Sequence, residues 1–458
     1  MELKDIKSVY FIGAGGIGMS ALARYFMHRG VVVAGYDRTP SALTSQLEKE
    51  GMLIHYEENV DCIPQACRDV ASCLVVYTPA IPSTHKELLF FKEHGFDIEK
   101  RAQVLGALTI SHKGLCVAGT HGKTTTSAIC AHIMHQSHID SNAFLGGILK
   151  NYGTNYILSK ESDYVVIEAD EFDRSFHWLR PWISVITATD PDHLDIYGTK
   201  EAYLESFRYY TTLIQPGGAL IIHKDLEMQP NVQEGVRTYE YSLDSGDFHA
   251  ENVRINNGEI TFDFVSPIEN VKNVELGQPV PINIENSVAA MAMAQLCRCT
   301  ADELKYGLKT YRGVERRFDF KIKTDKLVFL SDYAHHPKEI YQSARSIRQL
   351  YANRKITAIF QPHLYTRTRD FYKDFADALS QLDEVILCDI YPAREQPIPG
   401  VTSKLIYDNL KPGVEKSMIH KEDVLDLVKS RDFDVLIVLG AGDLDNYVPQ
   451  ITKILESK

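Results

Sequence analysis

Short apolar runs alternate along this chain with stretches in which apolar side chains return every three or four positions. Ser8–Ile12 is a continuous β-rich run, and Ile17–His28 places Met19, Leu22, Ala23 and Phe26 at helical spacing. Val31–Tyr36 and Cys73–Thr78 repeat the strand signature. Alternating strands and helices predict a parallel, doubly wound sheet. A second cycle opens with a strand at Leu115–Ala118 and a helix at Lys123–His138. Tyr164–Glu168, Ile183–Thr187 and Ala219–Ile222 then read as central parallel strands, because strands covered on both faces lose polar alternation. From Val253 to Phe264 the pattern alternates around Asn256-Asn257-Gly258, a hairpin signal. This hairpin is expected to form an antiparallel edge of the central domain. Glu285–Cys299 returns to helix. A third cycle carries strands at Leu327–Leu330, Ile356–Phe360, Val385–Cys388 and Val435–Leu439, with helices such as Pro337–Tyr351 between them.

The expected fold is α/β with three domains. Residues 1–105 form an N-terminal Rossmann-like domain. Residues 106–314 form a central P-loop ATPase-like domain, whose mostly parallel sheet has an antiparallel edge. Residues 315–458 form a C-terminal Rossmann-like domain. A length of 458 residues agrees with this count, at roughly 150 residues per domain.

Composition narrows the function classes. Hydrophobic residues make up 44% and charged residues 24%, as in ordinary globular chains. The net charge of −12 supplies no electrostatic footprint for nucleic acid and argues against adhesion to anionic membranes. Local phosphate sites remain open, since they need only a few donors. The 8 cysteines lack zinc-ribbon spacing and read as buried free thiols. The charged N-terminus has no signal-peptide core, and no apolar run approaches the ~20 residues of a membrane span. A cytoplasmic protein without membrane insertion is expected.

Two glycine clusters follow strands and open helices. In Gly13-Ala-Gly15-Gly16-Ile-Gly18, with Asp37 at the end of the next strand, the glycines admit a pyrophosphate to the helix N-terminus. This loop alone fits NAD(P), FAD or a nucleotide sugar. In Gly119-Thr120-His121-Gly122-Lys123-Thr124-Thr125-Thr126, backbone amides wrap phosphates, Lys123 neutralises their charge and the Thr124 hydroxyl can ligate Mg²⁺. This loop is one residue shorter than the usual phosphate loop, whose first glycine falls here on Val117. Two acidic runs, Glu168-Ala-Asp170-Glu171-Phe-Asp173 and Asp190-Pro-Asp192-His193-Leu-Asp195, sit at strand C-termini, where ligands of open α/β sheets bind. Asp332-Tyr333-Ala-His335-His336-Pro337 and Gln361-Pro-His363-Leu-Tyr365-Thr-Arg367-Thr-Arg369 also follow strands and suit the wall of an anionic-substrate site.

Together these motifs resemble the Mur ligase family, in its alanine-adding branch, over essentially the whole chain. The short phosphate loop is the most specific element. Glu168-Ala-Asp170-Glu171, Asp192-His193-Leu-Asp195, Asp332-Tyr333-Ala-His335-His336-Pro337 and Gln361-Pro-His363 with Thr366-Arg367-Thr-Arg369-Asp370 follow in family order. The resemblance implies a UDP-nucleotide-binding domain, a central ATP-binding domain and a mobile C-terminal ligase domain. It implies ATP-driven amide formation between UDP-N-acetylmuramate and L-alanine in peptidoglycan synthesis, and hence a place in cell wall biogenesis, cell shape and division. ATP and two Mg²⁺ ions are implied.

By the same resemblance, Ala118, Gly119, Thr120, His121, Gly122, Lys123 and Thr124 hold ATP with Asn286, Arg317 and Asp332. Thr124, Glu171 and His193 hold metal. Gly13, Gly15, Gly16, Gly18 and Asp37 receive the UDP moiety, and Tyr333, His335 and His363 complete that substrate's wall with Arg367. Lys123, His193 and Arg367 are the implied catalytic groups.

The chain departs from the family pattern at Ile282, where a histidine is usual, at Leu364 (arginine), at Ala188 (asparagine) and at Gln103 (glutamate). No lysine lies between Lys200 and Lys224 to serve as the carbamylated metal ligand of other branches, which agrees with the alanine-adding branch. Two other readings are a peptide-recycling ligase of the same family and a noncatalytic NAD(P)-binding regulator.

Overall fold

A computed structural model describes residues 5–78, 80–159, 161–191, 194–256, 259–393 and 395–458. The N-terminal sheet contains β1 (Ser8–Ile12), β2 (Val32–Tyr36), β3 (Leu53–His55), β4 (Cys73–Tyr77) and β5 (Asp97–Lys100) in the order β3-β2-β1-β4-β5. All its pairings are parallel. Every residue of β1 is buried, as its unbroken apolar run requires. The order reverses at β1, so the crevice beyond its C-terminal end is where a doubly wound sheet takes its ligand. The first glycine loop lies there.

The second sheet has seven strands: β6 (Lys113–Ala118), β7 (Asn142–Leu149), β8 (Thr154–Ile157), β9 (Tyr164–Ala169), β10 (Ile183–Ile186), β11 (Ala219–His223) and β12 (Arg237–Tyr241). Their order is β12-β11-β10-β6-β9-β7-β8, with only β7–β8 antiparallel. The expected hairpin exists but is not the edge of this sheet. β13 (His249–Asn256), β14 (Glu259–Val265) and β15 (Val271–Glu275) form a separate three-stranded sheet. Ile260, Phe262 and Phe264 of β14 are buried and alternate with more exposed neighbours. That period of two suits a sheet covered on one face rather than a strand packed on both. The turn residues Asn257 and Gly258 lie outside the described residues. The antiparallel edge is instead β7–β8, whose alternation is interrupted by Gly146-Gly147 and the Asn151–Gly153 turn.

The third sheet contains β16 (Asp319–Lys323), β17 (Val328–Asp332), β18 (Ile356–Phe360), β19 (Glu384–Leu387), β20 (Glu415–Met418) and β21 (Val435–Leu439). Its order is β16-β17-β21-β18-β19-β20, parallel except for β16 against β17.

The chain divides into two compact units. One comprises residues 1–253, 262–277 and 285–312, and the other residues 254–261, 278–284 and 313–458. In the first unit one hydrophobic cluster is shared by the N-terminal and seven-stranded sheets, and a second, around Tyr10 and Phe91, covers the other face of the N-terminal sheet. Tyr25, on the helix Ile17–His28, meets Phe144 of β7 edge-on at 5.7 Å. Beside it the buried Arg24 donates to Asn155 Oδ1 at 2.9 Å and to Glu50 at 2.7 Å. Asn155 in turn donates to the carbonyl of Ile17. All eight cysteines are unpaired, and seven are buried. Among the described residues no helix is long and apolar enough to cross a membrane.

Candidate active site

The phosphate loop leaves β6 at Ala118 and enters the helix Lys123–Gln136. Gly119 and Gly122 have φ of 131° and 80°, which L side chains rarely adopt. A Cβ at Gly119 would lie 2.2 Å from Thr187 Oγ1, so strand and loop touch directly. Thr187 donates to the carbonyls of Ala118 and His121. The Thr120 amide donates to Ala188 O at 2.9 Å and its hydroxyl to Asp190 O at 2.7 Å. The loop is thus strapped to the segment after β10. Ala188 serves it through a carbonyl, which any residue supplies, so this departure from the family pattern costs nothing at that contact.

Lys123 Nζ donates to Gly119 O at 2.6 Å and forms an ion pair with Glu171 at 2.8 Å. Burial alone would lower the ammonium's pKa, but the carboxylates of Glu171, Asp170 and Glu168 outweigh it and raise it. Burial also pushes the Glu171 carboxyl up, against the opposing pull of Lys123. Thr124 Oγ1 donates to Glu168 Oε1 at 3.0 Å, and Glu168 Oε2 accepts from the Gly146 amide at 3.1 Å. Asn286 packs on the same loop: its Oδ1 accepts from Thr126 at 3.3 Å and lies 2.9 Å from where a Gly122 Cβ would be.

A cleft of about 250 Å³ opens beside the loop, lined by Thr187, Thr189, Asp190, Lys200, His223 and Asp225 among others. His223 is held by Glu285 at 3.0 Å, a hydrogen bond that raises its pKa. His121 approaches Asp190 at 3.7 Å. His193 and Asp192 lie outside the described residues.

At the first glycine loop, Gly13 has φ 92° and donates to Tyr36 O at 2.8 Å. Gly16 caps the helix Ile17–His28 without any side-chain partner for that helix end. Asp37 is hydrogen-bonded to the loop itself. Its Oδ2 accepts from the Gly15 amide at 2.7 Å and its Oδ1 from Thr39 N. A Cβ on Gly15 would lie 2.8 Å from Thr44 Cγ2 and 2.9 Å from Asp37 Oδ2, so bulk there strikes the protein's own loop.

In the C-terminal unit the expected wall residues come together. The His335 ring is 5.1 Å from Tyr333 and 5.8 Å from His363. The Arg317 guanidinium lies 5.0 Å over the Tyr333 ring. Burial lowers the His335 pKa, and the nearby charges of Arg367 and Arg317 add to this against Glu339 and the Tyr333 carbonyl. Arg367 keeps a buried Nη1 without a hydrogen-bond partner among the described residues, aimed at no protein acceptor. Asp332 is buried and accepts from the Ser343 hydroxyl. Burial pushes its carboxyl up, while Ser343 and Arg317 pull it down. Leu364 caps the helix Tyr365–Leu379 at φ 71°.

Family comparison decides what these loops belong to. Residues 8–113 match the family described as "Mur ligase family, catalytic domain", 117–294 "Mur ligase middle domain" and 316–442 "Mur ligase, glutamate ligase domain". A protein of Phocaeicola vulgatus named UDP-N-acetylmuramate–L-alanine ligase is 69% identical over 100% of both chains. One of Parabacteroides distasonis with the same name is 57% identical over 99% of this chain and 98% of its own. The chain belongs to the Mur ligase family. The solved UDP-N-acetylmuramate-alanine ligase of Thermotoga maritima superposes with a TM-score of 0.82 at 25% identity, covering 98% of this chain and 99% of that one. A murein peptide ligase of Psychrobacter arcticus shares the fold, with a TM-score of 0.69 at 20% identity over 99% of each chain. Family membership displaces the NAD(P)-regulator reading.

Within this Mur ligase the structure adds contacts that motif reading did not give. The Thr124 hydroxyl hydrogen-bonds to Glu168, a member of the first acidic run. The β6–β9 register pairs Glu168 with Val117, one residue before the loop, and that pairing is a three-dimensional fact. Lys100 and Arg101, where β5 meets the helix Arg101–Ser111, reach Asp173 at 2.8 Å and Asp170 at 3.7 Å. No motif marked them. Among the described residues no three His, Cys, Asp or Glu side chains form a ready-made metal cluster.

Proposed function

We propose that this Mur ligase joins L-alanine to the lactyl carboxylate of UDP-N-acetylmuramate, with ATP as co-substrate, in the cytoplasm. The supporting observation is a phosphate loop with its lysine poised on a buried carboxylate, in a chain 69% identical end to end to a relative of that name. A carboxylate is a poor electrophile at neutral pH. Its oxygen attacks the γ-phosphorus of ATP, the bond to the bridging oxygen breaks, and ADP leaves an acyl phosphate. The alanine amine then attacks the acyl carbon, phosphate departs, and the amine gives up a proton.

The residues divide this work. The loop from Ala118 to Thr124 receives the ATP phosphates, and Lys123 follows charge onto the moving phosphoryl group. Asn286, Arg317 and Asp332 contact the nucleotide. Gly13 to Gly18 receive the UDP diphosphate, and Tyr333, His335, His363 and Arg367 wall the muramyl and amino-acid groups. The orphan Nη1 of Arg367 suits a carboxylate. The Thr124 hydroxyl and the Glu168 carboxylate are hard oxygens already in mutual contact, and they fit Mg²⁺ together with Glu171. His193 would serve a second ion. When bound, Mg²⁺ neutralises charge on the phosphate oxygens.

Phosphate release tests the proposal, measured with UDP-N-acetylmuramate and each of L-alanine, L-serine, glycine and a tripeptide. L-Alanine should give the fastest release. Strong release with the tripeptide alone would reject the assignment in favour of peptide recycling.

A further inference from the structure

The helix Arg101–Ser111 begins directly where β5 ends, and its first side chain reaches both the first glycine loop and the acidic segment after β9. A Cβ placed on Gly18 would fall 2.3 Å from Arg101 Nη1, so the guanidinium packs directly on the end of the first loop. The same group faces Asp170 Oδ2 at 3.7 Å. Asp170 precedes Glu171, whose carboxylate holds Lys123 at 2.8 Å. A continuous path of contacts therefore runs from the first glycine loop through Arg101 to the phosphate loop.

The Arg101–Asp170 contact is not a settled ion pair. A charge-assisted hydrogen bond is ~2.7–2.9 Å long, and an open pair contributes little stability. At 3.7 Å, with side-chain exposures of 25% and 39%, this contact is longer and partly open to water. Lys100 differs: it holds Asp173 at 2.8 Å. Of the two adjacent cations, Lys100 fastens the junction and Arg101 has spare donors. A planar guanidinium with five donors matches a diphosphate, which carries more charge than one carboxylate.

We propose that Arg101 binds the diphosphate of the UDP-sugar substrate, exchanging its loose contact with Asp170 for the phosphate oxygens. This rests on reading Gly13–Gly18 as the diphosphate loop. The exchange removes a cation from Asp170 when the sugar nucleotide arrives, so Arg101 reports occupancy of one phosphate site to the other.

Calorimetry on the full chain tests this, with UDP-N-acetylmuramate, UDP, UMP and ATP titrated separately into the wild type, Arg101→Ala, Arg101→Lys, Asp170→Asn and Gly15→Val. Arg101→Ala should weaken UDP-N-acetylmuramate and UDP at least tenfold, UMP less, and ATP less than twofold. Arg101→Lys should recover part of the loss, because it keeps charge without the fork. Asp170→Asn should bind UDP as tightly as the wild type or more so. Unchanged UDP affinity in Arg101→Ala, alongside loss in Gly15→Val, would overturn the role of Arg101 alone. Normal UDP binding by Gly15→Val would instead overturn the reading of the loop. Equal weakening of UDP and ATP in Arg101→Lys would make Arg101 a structural clamp and also defeat the proposal.

Discussion

Lys123 is held by two protein oxygens, the Gly119 carbonyl and the Glu171 carboxylate. This preorganisation lets the ammonium meet transition-state charge without first being gathered from solvent. Lys123→Ala should lower kcat by at least ~100-fold, about 3 kcal/mol, in a chain that still folds but melts lower, because Glu171 loses its buried partner. A variant retaining half of wild-type turnover would exclude the role. Metal dependence should follow the geometry around Thr124. Glu168→Ala is expected to raise the Mg²⁺ concentration for half-maximal rate at least as much as Glu171→Ala, and a Mg²⁺ titration of each variant decides the order. The phosphate-loop motif singled out Lys123 and Thr124, whereas Glu171 as a metal ligand came only from the family resemblance. The Glu168–Thr124 contact was not legible, because it arises from strand register between segments 44 residues apart.

At the scale of elements, β1 carries a polar feature through an otherwise apolar strand. Tyr10 is fully buried, and its hydroxyl donates to Glu87 Oε2 at 2.8 Å and contacts His55 Nε2 at 2.6 Å. Burial pushes the Glu87 carboxyl from 4.5 up to about 7, against hydrogen bonds from Tyr10 and Asn59. The folded state therefore binds the proton more tightly than the unfolded one. That stabilisation is complete below pH 4.5 and is lost as pH rises through about 7. The loss amounts to up to ~3 kcal/mol. Glu87→Gln should melt higher than the wild type at pH 8, with the advantage shrinking towards pH 5. An equal difference at both pH values would show that Glu87 is not protonated in the fold.

Strand and helix identity was read correctly wherever periodicity was clean, as in β1, β18 and β21. The misplaced hairpin marks the limit of that approach. Periodicity shows that Ile260, Phe262 and Phe264 share a face, but not which sheet covers them. The true edge, β7–β8, is broken by glycines that erase its period.

For the whole molecule, the decisive feature is a core shared by two sheets. Sequence patterning counts one domain per β/α cycle, but the contacts of Tyr25 with Phe144 and of Arg24 with Asn155 join the first two cycles. Such long-range pairs leave no trace in local spacing. The N-terminal and seven-stranded sheets should therefore unfold in one calorimetric transition. Asn155→Ala leaves the buried Arg24 and the Ile17 carbonyl without that partner, and should lower the transition of both sheets by on the order of 1–3 kcal/mol. Separate melting of the N-terminal sheet in the wild type would contradict this coupling.

The shared core also governs how such chains can be recombined. A chimera cut between β5 and β6 and fitted with a relative's nucleotide-sugar half brings a foreign helix face against Phe144, Tyr156 and Asn155. The graft can seat only if its donor supplies an aromatic residue at position 25 and an arginine at position 24, or if β7 and β8 travel with it. The natural unit of exchange is then longer than the substrate-binding half, and new sugar-nucleotide specificities are more accessible by changing loops within the half than by replacing it.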